Sequence, residues 1–347
     1  MRSKIGDAMI LRRDYSHFAG CLLGGAIGDA LGAPIEFLSL PEIRRRFGPK
    51  GVTTFVDLNH SGLAEFTDDT QMTLFTAEGV IIARDRGLSR GIWNPTESLF
   101  RAYLRWLRTQ RLRRTGPTGE LTREGWLLGY EAIWRVKAPG NTCLAALGSS
   151  KLGTPDNPLN DSKGCGGVMR VAPLGLAFPG DAAFEMAVRA AALTHGHPTG
   201  FLTAGVFAQT IAEIIAGHSL EESIRLGLIT LARWPNHEET LTAVSKAVEN
   251  AQSPNMPPSA EVIETMGAGW VAEEALAISL YCALVHPTDF TAAVLLAINH
   301  SGDSDSTGAI TGNLLGALLG LDGLPSGLLS RIELRSEIEN MAEEMLK

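Results

Sequence analysis

Apolar residues recur at helical spacing from one end of this chain to the other, and strand-like alternation is nearly absent. In NPTESLFRAYLRWLRTQ, Asn94 is placed to cap, Pro95 suits the first helical position, and Leu99, Tyr103, Trp106 and Leu107 share one face. Ser219 and Glu222 form a capping box ahead of SIRLGLITLARW, Asp181 precedes FEMAVRAAALTH, Thr288 precedes FTAAVLLAINH, and the chain closes with SRIELRSEIENMAEEML. The best strand candidate is the isolated run GVTTFVDL at 51–58, readable as a short edge element or as loop. The pattern predicts an all-α protein, about a dozen helices of roughly 10–20 residues packed as a compact orthogonal multi-helix bundle around one core. The breaks richest in Gly, Pro and Asn, at 148–167 and 252–260, are no longer than loops, so the expectation is a single domain over residues 1–347.

Charge and cysteine usage narrow the partners. The chain carries 38 Asp+Glu against 30 Lys+Arg, and a net charge of −8 without a basic stripe argues against nucleic acid or an anionic membrane. Cys21, Cys143, Cys165 and Cys282 lie far apart without a Cys-x-x-Cys pair, which reads as a reduced, cytoplasmic chain. The opening MRSKIGDAMILRRDY has too short an apolar run for a secretory signal. The longest stretch without formal charge, Ala190 to Ala212, is interrupted by His195, His197, Pro198, Thr203 and Gln209, so no membrane span is expected.

Glycine makes up 38 of 347 residues, about 11% against roughly 7% in average proteins. The glycines concentrate in GCLLGGAIGDALGAP, GCGGVMR, THGHPTG and SGDSDSTGAITGNLLGALLG. Inside a helix each costs about 1 kcal/mol relative to alanine. Their placement implies close helix packing or backbone drawn up to a ligand.

Two segments are acidic and rich in hydroxyls at a helix start. Thr67-Asp68-Asp69-Thr70 opens one helix, a position where capping and the helix dipole by themselves favour carboxylates. Asp303, Asp305, Ser304, Ser306 and Thr307 open another. The latter imitates the start of a calcium loop, but position 12 is Leu314 where a bidentate Glu is required, which excludes an EF-hand. If the two segments meet, paired carboxylates about 4 Å apart repel by about 4 kcal/mol at an effective dielectric near 20, and the cluster needs a counter-charge. Asp carboxylates with Ser/Thr hydroxyls suit two hard divalent cations, Mg or Mn, and the lack of a neighbouring His or Cys in either segment disfavours zinc.

Three further segments accompany them. GCLLGGAIGDALGAPIEF leaves Glu36 just past a glycine-rich helix that carries Asp29, a candidate acceptor for holding a loop or ligand. NDSKGCGGVMRVAPLGLAF offers Gly164, Gly166 and Gly167 as a backbone cradle for phosphate, although ordinary turns also use glycine. It is neither a Walker loop nor a dinucleotide fingerprint. In LTHGHPTGF, His195 and His197 follow a helix end, a common place for structural histidines and also for ligand contacts.

Together, in this order, the five segments resemble the ADP-ribosylglycohydrolase family from near residue 20 to near residue 320. The resemblance implies an all-α bundle with a binuclear magnesium or manganese site. It implies metal ligation by Thr67, Asp68, Asp69, Asp303, Asp305 and Ser306, with Glu36 near the metals and the catalytic set formed by Asp68, Asp69, Asp303, Asp305 and Glu36. Gly164, Cys165, Gly166, Gly167, Met169 and Arg170 match the segment lining the diphosphate and distal ribose, and His195 the one bordering the ligand. Ser306 stands where the family often has Thr, and Cys165-Gly166-Gly167 where it often reads Asn-Gly-Ser or similar. The implied activity is removal of ADP-ribose from a modified protein side chain, foremost arginine. The alternatives are a serine-linked or O-acyl substrate, or a non-catalytic ADP-ribose binder or structural protein.

Overall fold

The computed structural model describes residues 11–56, 62–111 and 125–347. Among them it has sixteen α-helices, more than the dozen expected because several are single-turn pieces. They are α1 (Tyr15–Gly32), α2 (Leu40–Phe47), α3 (Asp68–Arg90), α4 (Pro95–Arg111), α5 (Asn141–Gly148), α6 (Ala172–Ala177), α7 (Gly180–Ala192) and α8 (Pro198–Ile215). The second half adds α9 (Leu220–Leu231), α10 (Glu238–Gln252), α11 (Ala260–Glu264), α12 (Ala272–Val285), α13 (Phe290–Ile298), α14 (Ser304–Leu319), α15 (Ser326–Leu329) and α16 (Arg335–Leu346). One contiguous apolar core runs from Phe18 of α1 to Met345 of α16. A smaller cluster lies around Ile278 and Tyr281.

Local chemistry explains the helix starts. Asn94 Oδ1 accepts from Glu97 N–H at 3.2 Å, and Ser219 Oγ from Glu222 N–H at 3.2 Å. Two expected caps shift by a residue or more. Asp289, not Thr288, caps α13 by accepting from Ala292 N–H at 2.9 Å, because its carboxylate outcompetes a hydroxyl for that N–H. Asp181 lies inside the first turn of α7 and is drawn to Thr230 Oγ1 at 2.9 Å and Arg233 Nη1 at 2.7 Å on and beyond α9. The closing segment becomes helical only from Arg335, as α16, after Leu334 with its φ of +53°.

The 51–58 run is loop as far as it is described, residues 57 and 58 lying outside the described residues, as does the 1–10 part of the opening segment. In place of a partner strand, Asn299 brackets Val52, accepting from its N–H at 2.8 Å and donating to its carbonyl at 2.9 Å.

The glycines act through the pairing of α1 with α14, the most extensive helix contact in the molecule. Gly20, Gly24, Gly28 and Gly32 run along α1 at intervals of four, and Gly316, Gly312, Gly308 and Ser304 oppose them in antiparallel order. A β-carbon at Gly28 would collide with the carbonyl oxygen of Gly308, so the two backbones touch where side chains would hold them apart. This contact carries the acidic start of α14 to the end of α1, beside Asp29 and Glu36. Residues 15–35 are, among the described residues, the one helical stretch long and apolar enough to cross a membrane, yet 89% of its apolar window is buried inside the bundle.

Candidate metal centre

Asp29 is buried in the last turn of α1, with its carboxylate acting as a clamp across helices. It accepts from Thr67 N–H at 2.8 Å, from Thr70 N–H at 3.0 Å and from Thr70 Oγ1 at 2.6 Å. The N-terminus of α3 is thereby fastened to α1. At that N-terminus Thr67 Oγ1 accepts from Asp69 N–H at 3.3 Å, and Gly140, which precedes α5, donates its N–H to Asp68 Oδ2 at 3.4 Å. Asp303 caps α14, accepting from Ser306 N–H at 3.4 Å.

The two acidic helix starts meet, as the sequence suggested. Glu36, Asp68, Asp69, Asp303, Asp305 and Ser306 line one cavity of about 350 Å³ together with Gly164, Cys165, Gly166, Met169 and His195. Ligand atoms of Glu36, Asp303 and Asp305 lie within 4.8 Å of one another. Burial, then the charge of Asp305, Asp303, Asp68 and Asp29, pushes the Glu36 carboxyl from 4.5 up to about 10. Burial and then Asp305 likewise raise Asp68 and Asp69 well above the carboxylate range, and Asp29 to about 7. Burial and then the charge of Asp305 raise Asp303 well above the carboxylate range, and burial raises Asp305 itself.

These side chains fit hard divalent cations. Five carboxyls and the Ser306 hydroxyl converge, no Lys or Arg is among the described residues lining the cavity, and Asp69 Oδ2 is buried without a hydrogen-bond partner. Thr67, expected as a ligand, does not line the cavity; it stands at the edge of the group, where it counters the rise of the Asp305 carboxyl. One expectation is corrected. A soft ligand does adjoin the cluster, because folding brings the Cys165 thiol to donate to Asp303 Oδ2 at 2.8 Å and places it 3.6 Å from Ser306 Oγ.

The glycine-rich segment needs a fuller correction. Gly164 N–H already donates to Ser162 Oγ at 3.3 Å and the intervening Cys165 N–H to Trp270 O at 3.1 Å, so two of the four N–H groups at 164–167 are used internally. The glycines also have a packing reason, since a β-carbon on Gly166 would lie 3.1 Å from both Cys143 Sγ and His195 Cε1. Gly167 is buried against Ala191 and does not line the cavity. Arg170 does not line it either. It is wholly buried, with its guanidinium 4.3 Å from the centroid of the Tyr103 ring, so its place is behind the wall. His195 does line the cavity, while burial and then the Arg170 charge push its pKa down to about 3.

Three parts of the wall were missed in the sequence. Gly140, Asn141 and Thr142 bring the start of α5 to the cavity, signalled only by the Pro139-Gly140 turn before an apolar run. Phe37 and Trp270 form its rim, 69% and 38% exposed and stacked with centroids 5.0 Å apart at 21°. Phe37 holds a φ of +68°, a left-handed conformation unusual for a bulky residue. Its adjacency to Glu36 was the available signal.

Fold and site define a class, an all-helical bundle that assembles a buried carboxylate centre at the foot of a ligand-sized cavity. The profile described as ADP-ribosylglycohydrolase matches residues 11–347, and the chain belongs to that family. The ADP-ribosyl-[dinitrogen reductase] glycohydrolase of Rhodospirillum rubrum is 27% identical over 328 residues, covering 92% of this chain and 91% of that protein. The ADP-ribosylarginine hydrolase Tri1 of Pseudomonas putida (strain GB-1) is 26% identical over 340 residues, covering 94% of this chain and 76% of that protein. A solved structure described as an ADP-ribosylglycohydrolase-related protein complex superposes with a TM-score of 0.66 at 25% identity, covering 96% and 98% of the two chains. Family membership supports hydrolysis of an ADP-ribosyl linkage.

Proposed function

We propose that this protein removes ADP-ribose from modified arginine side chains of proteins, with two divalent cations, Mg or Mn, as cofactors. The observation that carries the reading is the convergence of five carboxyls in a cavity lined, among the described residues, by no Lys or Arg, with one buried carboxylate oxygen left unpartnered among them. Asp68, Asp69, Asp303 and Asp305, with the hydroxyl of Ser306, are the residues that would hold the cations. When bound, these would neutralise the cluster and stabilise charge developing at the ribose. One of the cluster carboxylates takes the proton from the attacking water. Gly164, Gly166, Met169 and His195 border the diphosphate and ribose.

The arginine linkage is supported by the relative named for it and by the character of the opening. A planar guanidinium leaves as a cation, and an acidic cavity rimmed by the faces of Phe37 and Trp270 suits it through charge and cation–π attraction. The absence of disulfides among the four cysteines supports a reducing compartment, the cytoplasm.

The test follows ADP-ribose release from arginine-linked, serine-linked and O-acetyl substrates with magnesium, with manganese and with chelator. Arginine-linked substrate is expected to exceed serine-linked by at least about tenfold in kcat/KM, about 1.4 kcal/mol of transition-state preference. Equal rates would overturn the linkage, and no release from any substrate would overturn hydrolysis.

A further inference from the structure

Arg170 poses a question that substrate contact does not answer. It is completely buried, and among the described residues no carboxylate lies within ion-pair distance of it. Its Nη1 reaches only sulfur, Cys143 Sγ at 3.4 Å and Met72 Sδ at 3.7 Å. Its Nη2 donates to Ala190 O at 3.0 Å and to Thr194 Oγ1 at 2.7 Å.

A guanidinium can only donate, so Thr194 Oγ1 receives a hydrogen there and its own proton is directed elsewhere. Three acceptors are near, His195 Nδ1 at 2.8 Å, Ala191 O at 3.4 Å and the Cys143 sulfur, a weak acceptor that already takes a hydrogen bond from Arg170 Nη1. The second distance exceeds the O–H···O range. Ala191 O, moreover, already accepts the N–H groups of Thr194 at 3.0 Å and His195 at 2.9 Å, which occupy its two lone pairs. The hydroxyl proton therefore goes to Nδ1. With Nδ1 an acceptor, the imidazole proton sits on Nε2.

We propose that Arg170, acting through Thr194, fixes His195 as the neutral Nε2–H tautomer, so that the cavity wall presents a donor to an acceptor oxygen of the bound ligand. No hydrogen bond occupies Nε2 among the described residues, and His195 lines the cavity. The glycine turn is fitted to this edge of the ring, since a β-carbon on Gly164 would lie 3.4 Å from Nε2. Burial and the neighbouring guanidinium keep the ring uncharged. His195 is then a donor and not the base, which leaves proton acceptance to the carboxylates. Arg170 and Thr194 are positioning residues. The tautomer does not depend on the ligand, whereas the donor's use rests on the ADP-ribose reading above.

Nitrogen NMR on histidine-labelled, ligand-free protein tests the first part, with His195→Gln assigning the signals. The parent should show a pyridine-type Nδ1 and a pyrrole-type Nε2 for His195. Thr194→Val, which keeps the shape and removes the hydroxyl, should lose that fixed pattern, and Thr194→Ser should restore it. By calorimetry with ADP-ribose as probe, Thr194→Val should bind about tenfold more weakly, about 1.4 kcal/mol, while manganese affinity stays within about twofold. A pyrrole-type Nδ1 in the parent, or an unchanged tautomer in Thr194→Val, would overturn the relay. Unchanged ADP-ribose affinity with the tautomer lost would overturn its use. Failure of the parent to bind ADP-ribose would instead count against the functional reading, with the tautomer result standing.

Discussion

Helix α3 buries acid at two places ten residues apart, and the two are treated in opposite ways. Glu78 is fully buried, and Arg105 of α4 donates to its Oε2 from Nε at 2.8 Å and Nη2 at 2.6 Å, while Trp126 and Leu127 N–H groups donate to Oε1 at 2.7 and 2.9 Å. Asp68 and Asp69, at the start of the same helix, face other carboxyls, and Asp69 Oδ2 has no hydrogen-bond partner among the described residues. The first arrangement is complete within the protein. The second has no cationic side chain to balance it among the described residues lining the cavity. Burial alone therefore does not mark a functional carboxylate; burial without internal compensation does.

Arg105→Met breaks the completed arrangement and strands Glu78, so the expected loss of stability is the largest, about 3–5 kcal/mol by denaturant unfolding at saturating manganese. Turnover per folded molecule should hold. A loss under about 1 kcal/mol would mean that Glu78 is satisfied by its two N–H donors without the arginine.

Asp305→Asn in the other region should reverse both outcomes. Turnover should fall by at least about a thousandfold, about 4 kcal/mol in barrier, with helical circular dichroism retained. The chelated variant should be more stable than the chelated parent by about 1–2 kcal/mol, part of the roughly 4 kcal/mol repulsion of two charges about 4 Å apart at a dielectric near 20. Lower stability of that variant in chelator would show that Asp305 is compensated inside the protein.

The pH dependence sharpens the same contrast. Asp29 is raised from 3.8 to about 7 and Glu36 from 4.5 to about 10, so each holds its proton more tightly in the folded state. Their stabilising contribution is full below the unfolded values and is lost as pH rises through the folded ones. In chelator, melting temperature should therefore fall from about pH 5 toward pH 9, and manganese should raise it more at the upper end, since cations compete with protons for the same oxygens. A gap between the two curves that stays constant with pH would break the argument.

The smallest effect concerns Cys165. With its thiol on Asp303, Cys165→Ser should weaken zinc binding by about tenfold relative to manganese in competition calorimetry. An unchanged ratio would leave the thiol as a hydrogen-bond donor only.

The sequence by itself determined the helices, the acidic starts of α3 and α14 and the glycine intervals, because apolar period, capping and helix-dipole preferences act within a few residues. It carried the resemblance for the same reason, since each motif is local. The partners were settled only by tertiary structure. That Gly28 opposes Gly308, that Asp29 holds Thr67 and Thr70, and that Cys165 meets Asp303 depend on how helices cross, and no spacing in the chain encodes that. The motif of Arg170 ranks it with the ligand contacts, yet the turn ahead of α6 directs it toward Tyr103 and Thr194. Phe37 and Trp270, 233 positions apart, are each an unremarked aromatic in the sequence and become a rim only where the folded chain stacks them. A side chain's chemistry is written locally, but its burial and its counter-charge come from whatever the rest of the chain packs against it.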